Sequence, residues 1–313
     1  MADVVVVGSL TMDLNAFCER MPKAGETLLG EEFSMVPGGK GNNQAIASAR
    51  QGARTAMVGR VGRDSFGDRV MDQLAADGVD FAQVARDPEL ATGIAHIRVD
   101  RGGQNSIVMV PLANGAMDEA AVLDSEELIA ASGLLLTQLE IPLGTTRAAL
   151  EVARRRGVVT VLNPAPAAPL DSEVLALVDY LVPNEFEAEL LTGQEASSPE
   201  GALKAARILL GRGCRAVVVT MGGQGSLYAD RERVLKISAL KVDAVDTVAA
   251  GDAFCGGLAA ALAGGANLEA ALARATAAGA LATTVAGATS SLPTLEATME
   301  LLEGCGGPSF EPG

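Results

Sequence analysis

The chain has 313 residues, 49% of them hydrophobic, and a formal net charge of −15. This length can bury a large core, and the composition is typical of a globular protein rather than a disordered one. The negative charge argues against nucleic acid or an anionic membrane surface as a partner. The four cysteines are far apart and form no Cys-x-x-Cys pair. This favours a reducing, cytoplasmic location over a disulfide or metal framework.

The N-terminal part begins with a continuous apolar strand at residues 3–8, which ends at Gly8. Asp13 follows at the C-terminal end of this strand, where open α/β sheets place their ligand groups. Residues 14–37 then interrupt the pattern with prolines and glycines around a short β-like piece at 26–36. The glycine-rich turn at 38–44 leads into a helix, but a single turn of this kind is a weak signal.

A second interruption follows the strand at 54–61 and the helix near 65–77. Residues 92–99 and 105–111 alternate as two strands joined by a turn at 100–103. Together with 14–37 they predict a small separate sheet that serves as a lid or as a dimer contact. Its apolar face is predicted to include Ile94, Ile97, Ile107 and Met109.

From residue 133 the strand–helix alternation returns, with strands at 133–139, 158–162, 180–183 and 216–220 and helices at 144–156, 186–192 and 199–211. In a parallel sheet with right-handed crossovers the ends of these strands share one edge. Polar residues at these ends are therefore expected to line one cleft: Asp13, Glu140, Asn184, Glu187, Thr220 and Asp252. Residues 275–295 are uncharged, but they are rich in small residues and favour a packed helix and loop over a membrane span.

The stretch from Ala244 to Leu262 combines a β-branched lead-in, a small-residue corner and an acid, Asp252, that opens an apolar helix. The first N–H groups of a helix lack partners and carry partial positive charge, so they can bind a phosphate. Asp252 could remove the proton of an alcohol that attacks this phosphate. Alternatively, it could simply cap the helix, since Asp is a favoured N-cap.

The sequence resembles the ribokinase-type (PfkB) carbohydrate kinases. The resemblance runs from about residue 3 to about residue 295. It is based on Pro37-Gly38-Gly39-Lys40-Gly41-Asn42-Asn43-Gln44, on Asn163-Pro164-Ala165-Pro166, on Asn184-x-x-Glu187 and on Asp246-Thr247-Val248-Ala249-Ala250-Gly251-Asp252-Ala253-Phe254. It implies an α/β fold with a doubly wound, mostly parallel sheet flanked by helices. It also implies one kinase domain over 1–313 with lid segments at about 14–37 and 91–112, and phosphoryl transfer from ATP to a sugar hydroxyl, with D-ribose as the leading substrate.

The resemblance also assigns site residues. Asp252 matches the catalytic base, and Ala249, Ala250 and Gly251 match the anion hole. The positions that match sugar contacts are Thr11, Asp13, Gly38, Gly39, Lys40, Asn43, Glu140 and Asp252. The positions that match nucleotide contacts are Asn184, Thr220, Gly222, Gly225, Gly251 and Thr276. Glu187 matches a Mg²⁺ position that acts through water, and a K⁺ site matches Asp246, Val248, Ala282, Val285, Gly287 and Ser291. A homodimer through the lid is expected.

Three positions depart from the family pattern. Thr11 stands in place of an Asn that touches the sugar, 111–114 reads Pro-Leu-Ala-Asn, and Thr276 replaces an Asn or His near the adenine. Several alternatives therefore stay open. They are a kinase of a nucleoside, of 2-deoxyribose or of fructose, and a sugar-binding regulator without catalysis. A dinucleotide-dependent oxidoreductase is disfavoured because no G-x-G-x-x-G follows the first strand.

Overall fold

The computed structural model describes residues 1–313. The strands are β1 (Val4–Val7), β2 (Thr11–Cys18), β3 (Glu32–Gly38), β4 (Thr55–Gly62), β5 (Asp80–Asp87), β6 (Gly93–Asp100), β7 (Asn105–Val110), β8 (Leu134–Thr137), β9 (Val159–Leu162), β10 (Tyr180–Leu181), β11 (Ala216–Thr220), β12 (Ser226–Ala229), β13 (Val234–Ile237) and β14 (Phe310–Pro312). The helices are α1 (Lys40–Arg50), α2 (Ser65–Ala76), α3 (Glu119–Asp124), α4 (Glu126–Ala130), α5 (Leu143–Arg156), α6 (Ser172–Leu175), α7 (Glu185–Thr192), α8 (Pro199–Gly211), α9 (Ala250–Ala263), α10 (Leu268–Ala282) and α11 (Leu295–Cys305).

A ten-stranded sheet forms the centre of the molecule, in the order β14-β13-β12-β11-β10-β9-β8-β1-β4-β5. The strands from β11 to β5 in this order are parallel to one another, whereas β12, β13 and β14 extend the sheet in antiparallel pairs. The predicted α/β class with a mostly parallel sheet is thereby confirmed.

The two faces of this sheet are covered by different helices, and β1 shows why. All four valines of β1 are fully buried. Val4 and Val6 belong to a core that includes residues of α1, α2, α9 and α10, whereas Val5 and Val7 belong to a core with residues of α3, α5 and α8. Because side chains alternate across a strand, a run without polar residues is what a strand covered on both faces requires.

A second sheet of four strands has the order β3-β2-β6-β7. The segments predicted to form a lid, about 14–37 and 91–112, supply most of it, although β2 begins already at Thr11. The register places Ile97, Ile107 and Met109 on the same face as Asp13. Ile94 lies on the opposite face and packs against the first core, so its assignment to the shared apolar face is wrong.

Several element boundaries differ from the sequence prediction. The β-like piece expected at 26–36 is the strand Glu32–Gly38, and the helix expected after the glycine-rich turn already begins at Lys40. Residues 275–295 form the end of α10, a loop and the start of α11. None of the helices is both long and apolar enough to span a bilayer.

Candidate active site

The site is a cavity of about 190 Å³ at the carboxyl ends of the central strands. Seven of its lining residues were predicted as site residues from the sequence: Lys40, Asn184, Glu187, Thr220, Ala249, Gly251 and Asp252. The structure also places Asn163, Val182, Thr247 and Cys255 in its wall. Strand ends from β9 and β11 and helix starts from α7 and α9 therefore meet in one place, as the topology of a parallel sheet requires.

Helix α9 begins at this cavity without a cap. Its N-cap residue is Ala249, which has a left-handed conformation with φ of 59° and offers no side-chain acceptor. The N–H groups of Ala249, Gly251 and Asp252 donate to no group of the chain. A left-handed alanine costs on the order of 1 kcal/mol, so the rest of the structure holds this corner in place. Unpaired N–H groups at a helix start form a site for an anion.

Asp252 does not cap α9. It is 6% exposed, and its two carboxylate oxygens accept hydrogen bonds from side chains of α1. Asn43 Nδ2 donates to Oδ2 over 3.0 Å, and Gln44 Nε2 donates to Oδ1 over 2.9 Å. The capping alternative of the sequence analysis is therefore excluded. The carboxylate is held at the wall of the cavity, beside the unpaired N–H groups.

Helix α7 begins at the same cavity with a complete capping box. Asn184 Oδ1 accepts from the backbone N–H of Glu187 over 2.7 Å, and Glu187 Oε2 accepts from that of Asn184 over 2.9 Å. This leaves the Asn184 amide nitrogen and Glu187 Oε1 without hydrogen bonds inside the chain. Burial raises the pKa of Glu187, as expected of a carboxylate removed from water, and the nearby ammonium of Lys40 only partly opposes this rise.

The glycine-rich segment joins the cavity to Asp13 and Glu140. The Asp13 carboxylate packs so closely on Gly38 that a Cβ there would lie 2.2 Å from Asp13 Oδ2. Glu140 Oε2 accepts the backbone N–H of Lys40 over 2.9 Å and the hydroxyl of Ser9. Burial raises the pKa of Asp13 to about 6, and the nearby Glu140 and Asp252 contribute to this rise, while the hydroxyl of Thr11 opposes it.

The side chain of Lys40 is the positive charge of the site. Burial would lower its pKa, but the carboxylates of Asp252, Glu140 and Glu187 outweigh this effect and raise it. Lys40 is thus an ammonium that faces three carboxylates. Cys255 lies one turn after Asp252, and burial raises its pKa well above the usual value, so it stays a thiol rather than a nucleophile.

Other residues predicted for the site lie away from this cavity. Thr276 is buried within α10, where its hydroxyl donates to the carbonyl of Leu272. Gly225 packs against the backbone of β13, with 2.0 Å between a built Cβ and the Ile237 carbonyl oxygen. Neither residue belongs to the cavity wall.

Three of the predicted K⁺ residues contact one another before the start of α9: Asp246, Val248 and Gly287. Asp246 Oδ2 accepts the N–H of Gly287 over 2.9 Å, and Asp246 Oδ1 accepts the N–H of Val248 over 3.0 Å. Ala282 is the last residue of α10, where carbonyls lack partners in the helix. Ser291 is buried and donates to the Ala288 carbonyl, which leaves its oxygen free to accept. Val285, by contrast, has a side chain that is 47% exposed.

Two buried glutamines that contact the site were not assigned a role from the sequence. Gln44 was noted within the glycine-rich motif, and Gln138 within the strand before Glu140. Both are completely buried. A signal for Gln138 was present, because a glutamine in the run Leu134-Leu135-Leu136-Thr137-Gln138 is unusual for a buried strand end.

The fold and the cavity define an α/β protein that holds a carboxylate and an uncapped helix start at the carboxyl edge of its sheet. A family model described as pfkB family carbohydrate kinase matches residues 1–295. The chain belongs to this family of kinases.

Individual relatives agree with this assignment. The chain is 40% identical to a ribokinase of Haemophilus influenzae, with 96% of this chain and 98% of that protein covered. It is 36% identical to a deoxyribokinase of Salmonella typhi over the same shares. Among solved structures, a ribokinase of Arabidopsis thaliana complexed with ribose and ATP matches with a TM-score of 0.91 at 33% identity. That match covers 96% of this chain and 99% of the plant chain.

Proposed function

We propose that the protein transfers the γ-phosphoryl group of ATP to the primary hydroxyl of D-ribose and forms D-ribose 5-phosphate and ADP. The observation that carries this proposal is the position of Asp252. Its carboxylate lies within one helical turn of the unpaired N–H groups at the start of α9. The Haemophilus influenzae relative is a ribokinase, and the Arabidopsis thaliana structure contains ribose and ATP.

In this reaction Asp252 acts as the general base. Its carboxylate accepts the proton of the sugar hydroxyl while the hydroxyl oxygen forms a bond to phosphorus and the bond to the leaving ADP breaks. The N–H groups of Ala249, Gly251 and Asp252, with the rest of the 249–252 corner, stabilise the charge on the transferring group. Lys40 extends into the same cavity and adds a positive charge at that point.

The sugar is bound on the side of Asp13 and Glu140. Their carboxylates and the Asn43 amide offer acceptors and donors around a small polar volume, which suits the vicinal hydroxyls of a pentose. Thr11 takes part through its hydroxyl, which donates to Asp13 Oδ1 over 3.0 Å. Gly38 lets the Asp13 carboxylate lie against the backbone of β3, and Gly39 keeps the turn before α1 tight with φ of 91°, so both shape the sugar site.

The nucleotide is bound on the side of α7 and β11. Asn184 and Thr220 line the cavity there, and Gly222 and Gly225 follow at the end of β11. Gly251 belongs to the anion hole and also contacts the phosphates of the nucleotide. Thr276 would lie near the adenine because of its position on α10. Its hydroxyl does not donate to the base, since it already donates to the carbonyl of Leu272.

Glu187 fits a Mg²⁺ ion. Magnesium takes one or two carboxylates together with phosphate oxygens and water, and Glu187 presents one free, buried oxygen to the cavity. Three carboxylates around one ammonium already make the site negative, so the phosphates of ATP need a further cation. Glu187 would hold Mg²⁺ through water, and the ion would supply this positive charge.

The loops around Asp246 fit a K⁺ ion. The carboxylate and carbonyl oxygens of Asp246, Val248, Ala282, Val285, Gly287 and Ser291 are the hard donors that such a cation prefers. Asp246 connects the corner before α9 to the loop after α10. A cation there would order the anion hole without taking part in the chemistry.

The four-stranded sheet acts as a lid of a single kinase domain that spans 1–313, with lid segments at about 14–37 and 91–112. Its face next to Asp13 carries Ile97, Ile107 and Met109, and Ile107 is 53% exposed. We propose that this face pairs with that of a second copy in a homodimer. Sedimentation at micromolar concentration should give a dimer, and a fully active monomer would contradict it.

We place the protein in the cytoplasm. Its four cysteines are free thiols, three of them buried. Thiols in this number are typical of proteins from a reducing compartment.

A kinase of 2-deoxyribose is the second candidate. The Thr11 hydroxyl is already engaged by Asp13, which leaves one expected contact to the sugar weaker. A relative of 36% identity is a deoxyribokinase. This alternative uses the same catalytic groups and differs in the contact to one hydroxyl.

A phosphorylation assay against D-ribose, 2-deoxyribose, fructose and adenosine tests the proposal. We expect kcat/KM for D-ribose to exceed the others by at least about tenfold. For 2-deoxyribose the reason is that the missing hydroxyl leaves a buried polar group unpaired. A higher value for 2-deoxyribose or adenosine would reject ribose and keep the kinase. Tight sugar binding without any transfer would favour the regulator.

A further inference from the structure

A chain of buried amides lies behind the Asp252 carboxylate. Gln44 Nε2 donates to Asp252 Oδ1 over 2.9 Å and to Asn163 Oδ1 over 3.0 Å. Gln44 Oε1 in turn accepts from Gln138 Nε2 over 2.6 Å. Asn163 Nδ2 donates to the Val182 carbonyl over 2.9 Å. The two glutamines have no exposed surface, whereas Asn163 and Asp252 reach the cavity wall.

The direction of every bond in this chain is determined by Asp252. A carboxylate accepts and an amide nitrogen donates, so the nitrogen of Gln44 must face Asp252. Both hydrogens of that nitrogen are used, and the oxygen of Gln44 must therefore face away. That oxygen needs a donor in a buried position, and Gln138 provides it. Reversal of either glutamine would bring two oxygens together.

The chain costs stability, which argues against a purely structural role. Gln138 Oε1 is buried and has no hydrogen-bond partner. An unpaired buried acceptor of this kind costs about 1–3 kcal/mol. The neighbouring Gly8 leaves room for it, since a Cβ at Gly8 would lie 2.2 Å from Gln138 Oε1. Apolar side chains would fill this volume without any such cost.

We propose that Gln44 and Gln138 are positioning residues for the base, an inference that rests on the proposed function of Asp252. Gln44 and Asn43 each hold one oxygen of the carboxylate and so fix its plane toward the cavity. Gln138 acts one step further away and keeps the amide of Gln44 in the productive orientation. Neither glutamine lines the cavity or touches the reacting atoms.

This arrangement also determines where the proton goes. The side of Oδ1 that faces Gln44 is occupied by an N–H, so a proton from the sugar can settle only on a lone pair that faces the cavity. The carboxylate then has one orientation in which to act as a base. Loss of this orientation should lower kcat and leave substrate binding almost unchanged, because the amides do not contact the substrates.

The test uses Gln44→Glu, which keeps the shape and places an oxygen against Asp252 Oδ1. We expect kcat to fall at least about tenfold, with KM for ribose and for ATP within about threefold of wild type. Gln138→Met keeps the volume, removes the donor to Gln44 and should lower kcat several-fold. Gln51→Leu is the matched control, since Gln51 is the buried C-cap residue of α1 and bonds Thr298 and Pro293 rather than Asp252. It should lower the melting temperature and leave kcat unchanged.

A double-mutant cycle with Asp252→Asn separates the possible outcomes. If Gln44 acts through Asp252, Gln44→Glu should cost much less in the Asp252→Asn background than in the wild type. An equal cost in both backgrounds overturns the positioning role, and so does a folded Gln44→Glu or Gln138→Met with wild-type kcat. If Asp252→Asn itself keeps near-normal turnover, the proposed base is wrong and the inference falls with it.

Discussion

Two helices begin at the active-site cavity, and each carries an acid at the third position of its first turn. In α7 the acid is Glu187, which folds back onto the backbone of Asn184 and completes a capping box. In α9 it is Asp252, whose oxygens are bonded to α1 while the N-cap Ala249 provides no acceptor. The same sequence position thus closes one helix start and leaves the other open. The two helices differ in the N-cap residue, which is Asn184 in α7 and Ala249 in α9. They also differ in the donors that bind the carboxylate, which are backbone groups in α7 and side chains of α1 in α9.

The comparison shows how one cavity keeps both an acceptor and a set of donors available. If Asp252 bonded its own backbone, the N–H groups would be consumed and the carboxylate would be lost as a base. The side chains of α1 prevent this by holding Asp252 away from the axis of α9. The capped α7 meanwhile presents only its remaining nitrogen and oxygen to the cavity, in positions fixed by the box.

The largest effect is expected from Asp252→Asn. The amide keeps the shape of the side chain but cannot accept a proton, so turnover should fall by roughly 10²–10⁴-fold. Calorimetric affinities for ribose and ADP should stay close to wild type, whereas the melting temperature should fall modestly, because the new amide nitrogen faces one of the two donors, Asn43 or Gln44. Turnover near the normal rate would contradict the role of Asp252 as the general base and leave it, like Glu187, without a role in proton transfer.

Gly251→Ala closes the open helix start with one methyl group. A Cβ at Gly251 meets nothing within 4 Å, so the substitution fits without strain and projects into the space for phosphate. We expect kcat/KM for ATP to fall at least about tenfold while stability rises by up to about 1 kcal/mol, as alanine favours helices. Gly211→Ala in α8 has equally free space and is the control. Equal activities of the two variants would contradict the anion hole.

The pH dependence of KM for ribose tests the proposed sugar-binding carboxylate Asp13, because the main-chain N–H groups of α9 do not titrate. The pKa of Asp13 is raised to about 6, so Asp13 becomes neutral as the pH falls through this value. The ionised fraction falls about tenfold between pH 7 and pH 5. We expect KM for ribose to rise several-fold over this range in the wild type but not in Asp13→Asn. A flat KM for ribose would contradict a role of ionised Asp13.

Potassium should act on α9 and not on α7. Asp246 connects the loop before Ala249 to the loop after α10, so an ion there would order the open helix start. Replacement of Na⁺ by K⁺ at constant ionic strength should raise kcat several-fold, and Asp246→Asn should reduce this response. An unchanged rate in K⁺ would remove the cation site.

The smallest effect is expected from substitutions of Asn184, which caps α7 and is proposed to bind the nucleotide through its free amide nitrogen. Asn184→Ala removes the cap and should cost about 1 kcal/mol of stability, whereas Asn184→Ser keeps a good cap and should cost little. Both variants lose the free amide nitrogen, so both should bind ADP more weakly than the wild type. Full ADP affinity in the serine variant would limit Asn184 to the cap.

The sequence predicted the parallel part of the fold well, because strands such as Val4–Val7 and Ala216–Thr220 are continuous apolar runs that end in polar residues or glycine. It missed β2, β5, β12, β13 and β14. Their residues are mixed in polarity or short, and their pairing depends on neighbours far along the chain. The strand expected at 26–36 is Glu32–Gly38, so its start was predicted too early, and its end was predicted before Pro37, which in fact lies within the strand.

The site was predicted mainly where a residue ends a strand or begins a helix. Asp252, Asn184 and Thr220 are of this kind, and the cavity contains all three. The amide chain from Gln138 through Gln44 could not be derived, because it joins residues of different elements that share no spacing. The same holds for the contact of Gly38 with Asp13, which depends on the packing of β2 against β3.

The bond between Asn43 and Asp252 joins residues 209 positions apart, and that between Gln44 and Asp252 joins residues 208 apart. During synthesis the polypeptide therefore emerges with its sugar-binding half long before its base. A partly made chain that ends before α9 lacks both the Asp252 carboxylate and the uncapped helix start. The chain can therefore become able to transfer phosphate from ATP only after about four-fifths of it has been translated. A prematurely terminated product is inert rather than an unregulated ATPase.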